Sequence, residues 1–194
     1  TTRALLFDLA GHPVAEAYRE VAVAHPRPNW AELDAQACWR AAVEVLDEVF
    51  HQTARSPGDV LAIGLSGLLH ALIPVDEDGS PLARAMLWMD QRCQPQAEWL
   101  SREHGNLVHS LTGSRSVSTT YSAPKLRWLV EHDPALVGRT SKFLAMKDFI
   151  RFQLTGTIAT DPSDAGGTML YDRERGDWSE PLLEAIGISL EKLP

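Results

Sequence analysis

The stretch Gly64–Leu68, GLSGL, comes close to the G-x-S-x-G pattern in which a strained turn lifts a nucleophilic serine above a sheet. Its second glycine falls one place early. His70 would have to serve Ser66 as base from the very next strand, whereas hydrolase bases arrive from distant loops. Acyl transfer at Ser66 is therefore disfavoured. The phosphate-cradling patterns G-x-x-x-x-G-K-[ST] and G-x-G-x-x-G are absent. Gly166-Gly167 precedes the strand-like TML, so it reads as a tight turn and not as a loop that aims a helix at a phosphate. The seven histidines are scattered, and no His, Asp and Glu group has metal-ligand spacing.

His70 stands apart because it follows a buried-looking strand and opens the next one. Trp88-Met89-Asp90-Gln91-Arg92 ends the partner strand of the same hairpin. An imidazole, an indole, a carboxylate and a guanidinium at one sheet end suit a polyhydroxylated ligand. Asp90 accepts from hydroxyls, His70 and Arg92 donate, and Trp88 packs on C–H surfaces. Spacing alone equally allows a structural His70 and a plain Asp90–Arg92 salt bridge.

The elements that must position these groups follow from periodicity. Arg3–Leu9 and Val14–Val23 read as a hairpin around the turn AGHP. Beyond the proline-rich HPRPNW, Leu33, Ala37, Ala41, Val45 and Val49 recur at helical spacing, with Asn29 or Asp34 as N-cap. The apolar run VLAIGLS, Val60–Ser66, is expected to be a strand buried on both faces. HALIPV and ARAMLW flank the turn DEDGSP as a second hairpin. Helices are expected over Gln94–Glu103, Pro124–His132, Lys147–Leu154 and Pro181–Ile186, with short strands at TIATD and TMLYD. The long polar loop TGSRSVSTTYSA lies among them. This is a mixed α/β layer architecture whose sheet edges carry the polar loops.

With 44% apolar and 23% charged residues over 194 positions, the composition is that of a globular domain. A formal net charge of -8 with no basic run argues against nucleic acid as partner. Cys38 and Cys93 suggest neither a disulfide framework nor a zinc site, which fits a reducing cytoplasm. No apolar run approaches the roughly 20 residues a membrane span requires. The chain opens inside a strand, TTRALLFDL, and ends just after an amphipathic helix, so it reads as cut at both ends.

Taken in order, TTRALLFD, HPRPNWAE, IGLSGLLHALIPVDEDGSPLARAMLWMDQRC, YSAPKLRWL, MKDFIRFQLTG and TDPSDAGGTMLYD resemble the N-terminal lobe of FGGY-type carbohydrate kinases, most of all xylulokinases. The resemblance runs over essentially all 194 residues. It implies an α/β, actin-like, ribonuclease-H-like ATPase fold, with residues 1–194 as the sugar-binding lobe, its mixed sheet flanked by helices. It also implies a second, nucleotide-binding lobe outside this sequence. The family's Met-His pocket pair matches Leu69 and His70, a change that keeps volume and apolarity. Its W-x-D-x-R segment matches Trp88, Asp90 and Arg92, and an aromatic substrate contact falls at Thr120 or Tyr121. Thr1 and Thr2 match the tail of a phosphate loop. Asp161 and Asp164 look catalytic by eye, but the resemblance makes them turn and cap residues.

ATP and Mg2+ are implied as cofactors, held mainly by parts outside this chain, and no metal ligand is expected within it. The base is expected in the second lobe, so residues 1–194 alone should not turn over. The implied acceptor is a small sugar or polyol, with a ketopentose such as xylulose first and gluconate, ribulose or glycerol as alternatives. A cleft face without its second lobe would leave apolar surface for a homodimer. The competing reading is a non-catalytic sugar- or protein-binding module derived from the same fold.

Overall fold

The computed structural model describes residues 1–194. The expected hairpin forms from β1 (Thr2–Phe7) and β2 (Pro13–Arg19), antiparallel, in register from Thr2↔Arg19 to Leu6↔Ala15. Asp8 closes the turn by accepting from the amides of Ala10 and His12, each at 2.9 Å. Strand alternation puts Ala4, Leu6, Ala15 and Ala17 on one face, where they meet Val45 and Val49. After β3 (Glu32–Leu33), those two valines lie on α1 (Ala35–Thr53). Its N-cap is Asp34, whose carboxylate accepts from the Ala37 amide at 3.0 Å.

The run Val60–Ser66 departs from expectation. It joins no strand, and Leu61 is 81% exposed. Burial on both faces requires a paired neighbour, and β1 pairs only with β2. A cavity of about 540 Å³ is lined by β1 on one side and Ile63–Leu68 on another.

The second hairpin forms in outline, its two segments joined by the isolated bridges Leu72↔Met86 and Val75↔Pro81 while each strand takes another partner. β4 (Ile73–Val75) and β5 (Ala85–Met86) flank a turn in which Asp76 accepts from the amides of Asp78 and Ser80, and Leu72 and Met86 exchange backbone hydrogen bonds. Helices α2 (Gln94–Thr112) and α3 (Ser122–His132) follow, the former a full nine residues longer than its periodic core. A short α4 (Pro134–Arg139) leads into β6 (Lys142–Leu144) and α5 (Met146–Thr155). Next come α6 (Pro162–Gly166), the small pair β7 (Tyr171–Asp172) and β8 (Asp177–Trp178), and α7 (Glu180–Ile186). TIATD forms no strand, and TMLYD contributes only β7.

The α/β class holds, but the strands divide into four two-stranded antiparallel sheets in place of one mixed sheet: β1 with β2, β3 with β5, β4 with β6, β7 with β8. The unpaired Val60–Ser66 is the missing link between the first hairpin and the rest. Two cores result. One joins α2, α3 and α7 through Leu100, Leu126, Leu182 and Ile186; the other joins β3, β4, β5 and β6 to α5 through Ile73, Leu87, Leu144 and Phe149. No helix is long and apolar enough to cross a membrane.

Candidate functional site

His70 sits in a turn between the exposed apolar run and β4, with φ +61°. A non-glycine residue in the left-handed region costs on the order of 1–3 kcal/mol and persists only where its surroundings hold it there. Three contacts do so. The ring Nδ1–H donates to the Gly167 carbonyl at 2.8 Å, Lys125 Nζ donates to the His70 carbonyl at 2.6 Å, and the ring meets Tyr121 edge-on at 5.0 Å between centroids. A Cβ at position 167 would lie 2.7 Å from His70 Cε1, so only glycine permits this approach. Burial lowers the His70 pKa, the Lys125 charge lowers it further, and the Gly167 bond opposes them. The imidazole is thus neutral, with its proton on Nδ1 and an acceptor lone pair on Nε2.

Thr120 and Tyr121 come to the same place. Lys125, completely buried on α3, bonds the Thr120 carbonyl at 2.8 Å as well as that of His70, so one ammonium joins the two segments. Burial pushes its pKa down to about 8. Lys125 is not among the candidate residues named from the sequence. The signal was present nonetheless, because Ser122, Lys125, Leu126 and Leu129 form one buried helical stripe and a lysine interrupts it.

Asp90 and Arg92 form a closed internal network. Asp90 has no solvent exposure, and its carboxylate accepts from the Ala31 amide at 2.7 Å, the Arg92 amide at 3.0 Å and the Arg92 guanidinium at 2.6 Å. The same guanidinium reaches Glu32 at 2.7 Å and lies 3.4 Å from the Trp30 ring centroid. Of the two expectations for this pair, the salt bridge describes the geometry. The two groups fasten the segment before α2 to β3, and the Asp90 carboxylate is saturated, while the Arg92 Nη1 makes no hydrogen bond. Trp88 is 45% exposed and stacks on no other ring, and Leu69 is 49% exposed beside His70.

Asp148, Asp161 and Asp164 lie near enough together to hold a cation. They already hold one, since Lys147 Nζ stands 2.6 Å from Asp148, 2.6 Å from Asp161 and 3.2 Å from Asp164. Burial would lower the Lys147 pKa, but the bonds to Asp148 and Asp161 raise it overall, so the ammonium stays charged. These residues do not fit a magnesium ion. Asp161 also caps α6 by accepting from the Ser163 and Asp164 amides, as the turn-and-cap expectation had it. Gly67 passes close over this cluster, where a Cβ would come 2.9 Å from that of Lys147.

Thr1 and Thr2 line the 540 Å³ cavity with Arg3, Trp39, Ser66 and Lys147. Neither His70 nor Tyr121 lines it, so Thr1 and Thr2 and the His70 group face different spaces. Beneath His70 lies a void of only about 30 Å³, the volume of one water, bordered by Ser122, Asp148, Asp164 and Thr168. On the outer side of His70, Leu69 is exposed and Tyr121 partly so. Ser66 is exposed and makes no hydrogen bond to His70, and no helix follows it, so there is no nucleophile elbow.

Residues 1–194 match the model of the FGGY family of carbohydrate kinases, N-terminal domain. The chain is 31% identical to the xylulose kinase of Bacillus subtilis over 99% of its length and 38% of that protein, and 35% identical to the glycerol kinase of Bordetella pertussis over 100% of its length and 40% of that protein. It thus spans about two fifths of the curated relatives it matches. Among solved structures, a xyloylose kinase from Brucella ovis superposes with a TM-score of 0.93 at 31% identity, covering 99% of this chain and 39% of that one. A gluconate kinase from Lactobacillus acidophilus gives 0.90 at 25%, covering 99% and 38%. These neighbours carry the actin-like ATPase fold. On the match over its whole length, the chain belongs to the FGGY family of carbohydrate kinases.

Proposed function

We propose that residues 1–194 form the acceptor-binding lobe of a kinase that transfers a phosphoryl group from ATP to a hydroxyl of a ketopentose, with D-xylulose as the first candidate. The observation that carries this reading is His70. It is neutral, held in a strained conformation by Gly167 and Lys125, and keeps Nε2 free to accept a hydroxyl proton. Strain held by several partners is a mark of ligand-clamping positions. Tyr121 supplies an aromatic wall and a phenol, Leu69 an apolar edge, the Thr120 side chain a hydroxyl, and Trp88 a further exposed ring. Asp90 and Arg92 stiffen this wall from within.

A neutral acceptor suits a lobe of net charge -8, whereas a polyanion would be repelled. ATP and Mg2+ therefore belong to parts of the protein beyond these residues, with Thr1 and Thr2 at the rim of the nucleotide side. No aspartate buried in this lobe is free to act as base, because Asp90, Asp148, Asp164 and Asp172 all have partners.

Titration calorimetry with D-xylulose, D-ribulose, gluconate and glycerol tests the site. Saturable binding of one ligand, lost in His70→Ala, supports it, and wild-type binding that survives His70→Ala overturns it. A coupled assay with MgATP on the full-length protein then separates a kinase from a binding module.

A further inference from the structure

Lys125 carries more than a packing role requires. It is completely buried, it forms no salt bridge, and an aliphatic residue of equal length would fill the same stripe of α3 without desolvating an ammonium. The charged and titratable groups that face it are Asp90, Arg92 and Cys93 from the segment entering α2, and His70 from the turn before β4. Cys93 is a buried thiol that gives it no charge at neutral pH, and Asp90 is already saturated by Arg92 and Ala31. The ammonium is spent on two backbone carbonyls that lie 55 and 5 residues away in the chain, those of His70 and Thr120.

Those carbonyls belong to the two segments that face each other across the imidazole–phenol pair. His70 is fixed at its ring by Gly167 and at its carbonyl by Lys125, and the Thr120–Tyr121 peptide is tied to the same nitrogen. We infer that Lys125 is a positioning residue that sets the separation of the His70 and Thr120–Tyr121 walls, and so determines how strongly a five-carbon acceptor is preferred over a three-carbon one. This rests on the acceptor-site reading above. A long polyol engages both walls at once and depends on their spacing, while glycerol can satisfy itself at one.

The test measures dissociation constants of D-xylulose and glycerol for the full-length protein and for Lys125→Met, Lys125→Gln and His70→Ala, with ADP binding and the thermal melt as controls. Lys125→Met should weaken D-xylulose about tenfold, weaken glycerol by less than about threefold and leave ADP unchanged, because sub-ångström misplacement of binding groups has effects of that order. Lys125→Gln, which keeps two N–H donors on a shorter arm, should fall between. A merely structural lysine would lower the melting temperature while both acceptors bind in the wild-type ratio, and that result overturns the inference. If Lys125→Met does not fold, an unchanged acceptor ratio in Lys125→Gln overturns it equally. If His70→Ala weakens D-xylulose but neither Lys125 variant changes the ratio, the inference alone falls. If His70→Ala binds as wild type, the acceptor-site reading falls with it.

Discussion

Raising the pH should first stabilise this protein and then destabilise it, with a maximum near pH 9, because three buried groups titrate in opposite senses. Lys125 is lowered by burial from its ordinary 10.5 to about 8. Between those values the unfolded chain holds a proton that the folded chain has lost, so stability climbs with pH. At ~1.36 kcal/mol per unit, the whole displacement is worth about 3 kcal/mol by pH 10.5. Burial raises Cys38 and Cys93 from 9.0 to about 11. Above pH 9 the folded chain keeps thiol protons that the unfolded chain has released, and each thiol removes ~1.36 kcal/mol per unit. From pH 8 to 9 Lys125 dominates these three, for a gain of about 1 kcal/mol; above 9 the two thiols outweigh it by about the same slope. Lys147, raised by its carboxylates, keeps its contribution up to its ordinary 10.5 and loses it only beyond the window.

The assay is urea unfolding followed by far-ultraviolet circular dichroism, in a phosphine reductant, at half-unit steps from pH 7.5 to 10.5. Lys125→Met should be flat from pH 8 to 9 and then fall about twice as steeply as wild type. The difference between the two curves isolates the lysine from every other titrating group, and it should grow by about 3 kcal/mol between pH 8 and 10.5. Parallel curves would refute the reasoning, since they would mean that Lys125 has an ordinary pKa and that its ammonium is not confined between the His70 and Thr120 carbonyls.

Three further perturbations probe the frame around the site. Arg92→Met strips the fully buried Asp90 of its guanidinium and leaves Glu32 facing it, so unfolding by urea should show a loss of about 3–5 kcal/mol. Lys147→Met leaves Asp148, Asp161 and Asp164 without their shared cation; the charge that lowers Asp161 and offsets the burial of Asp164 is gone, so both rise, and the stability lost at pH 7.5 should shrink at pH 5, where protonation relieves it. Gly79→Val forces a branched residue into φ +77° with its Cβ inside the Phe152 ring, and scanning calorimetry should show the melting temperature lowered by about 5 °C or more.

Legibility in the sequence followed the range of the interactions. Asp34 as helix cap, the β1–β2 hairpin and the turn at Asp76–Ser80 were readable because each is decided by residues within a few positions. The short helices α4 and α6 were missed although both open on Asp-Pro, a cap followed by a proline at the first helical position, because five or six residues show no periodicity. Val60–Ser66 failed for the opposite reason. An apolar run announces that burial is wanted but does not name the partner strand, and here Ile63 remains 57% exposed beside a cavity.

The site divides the same way, and the division bears on how such sites are read. Residue types placed His70, Trp88, Asp90 and Arg92 at one hairpin end, yet types do not say which polar groups have been consumed. Asp90 and Arg92 satisfy one another together with Glu32 and Ala31, contributions that come from about 60 residues upstream. His70 is instead left with an unused nitrogen, because Gly167 and Lys125, 97 and 55 residues away, take its other polar groups. A polar residue at a strand end is a ligand contact only if the fold fixes it without exhausting it. His70 keeps a nitrogen for such a contact, the Asp90 carboxylate is consumed, and substituting Asp90 should reduce stability before it changes which sugar binds.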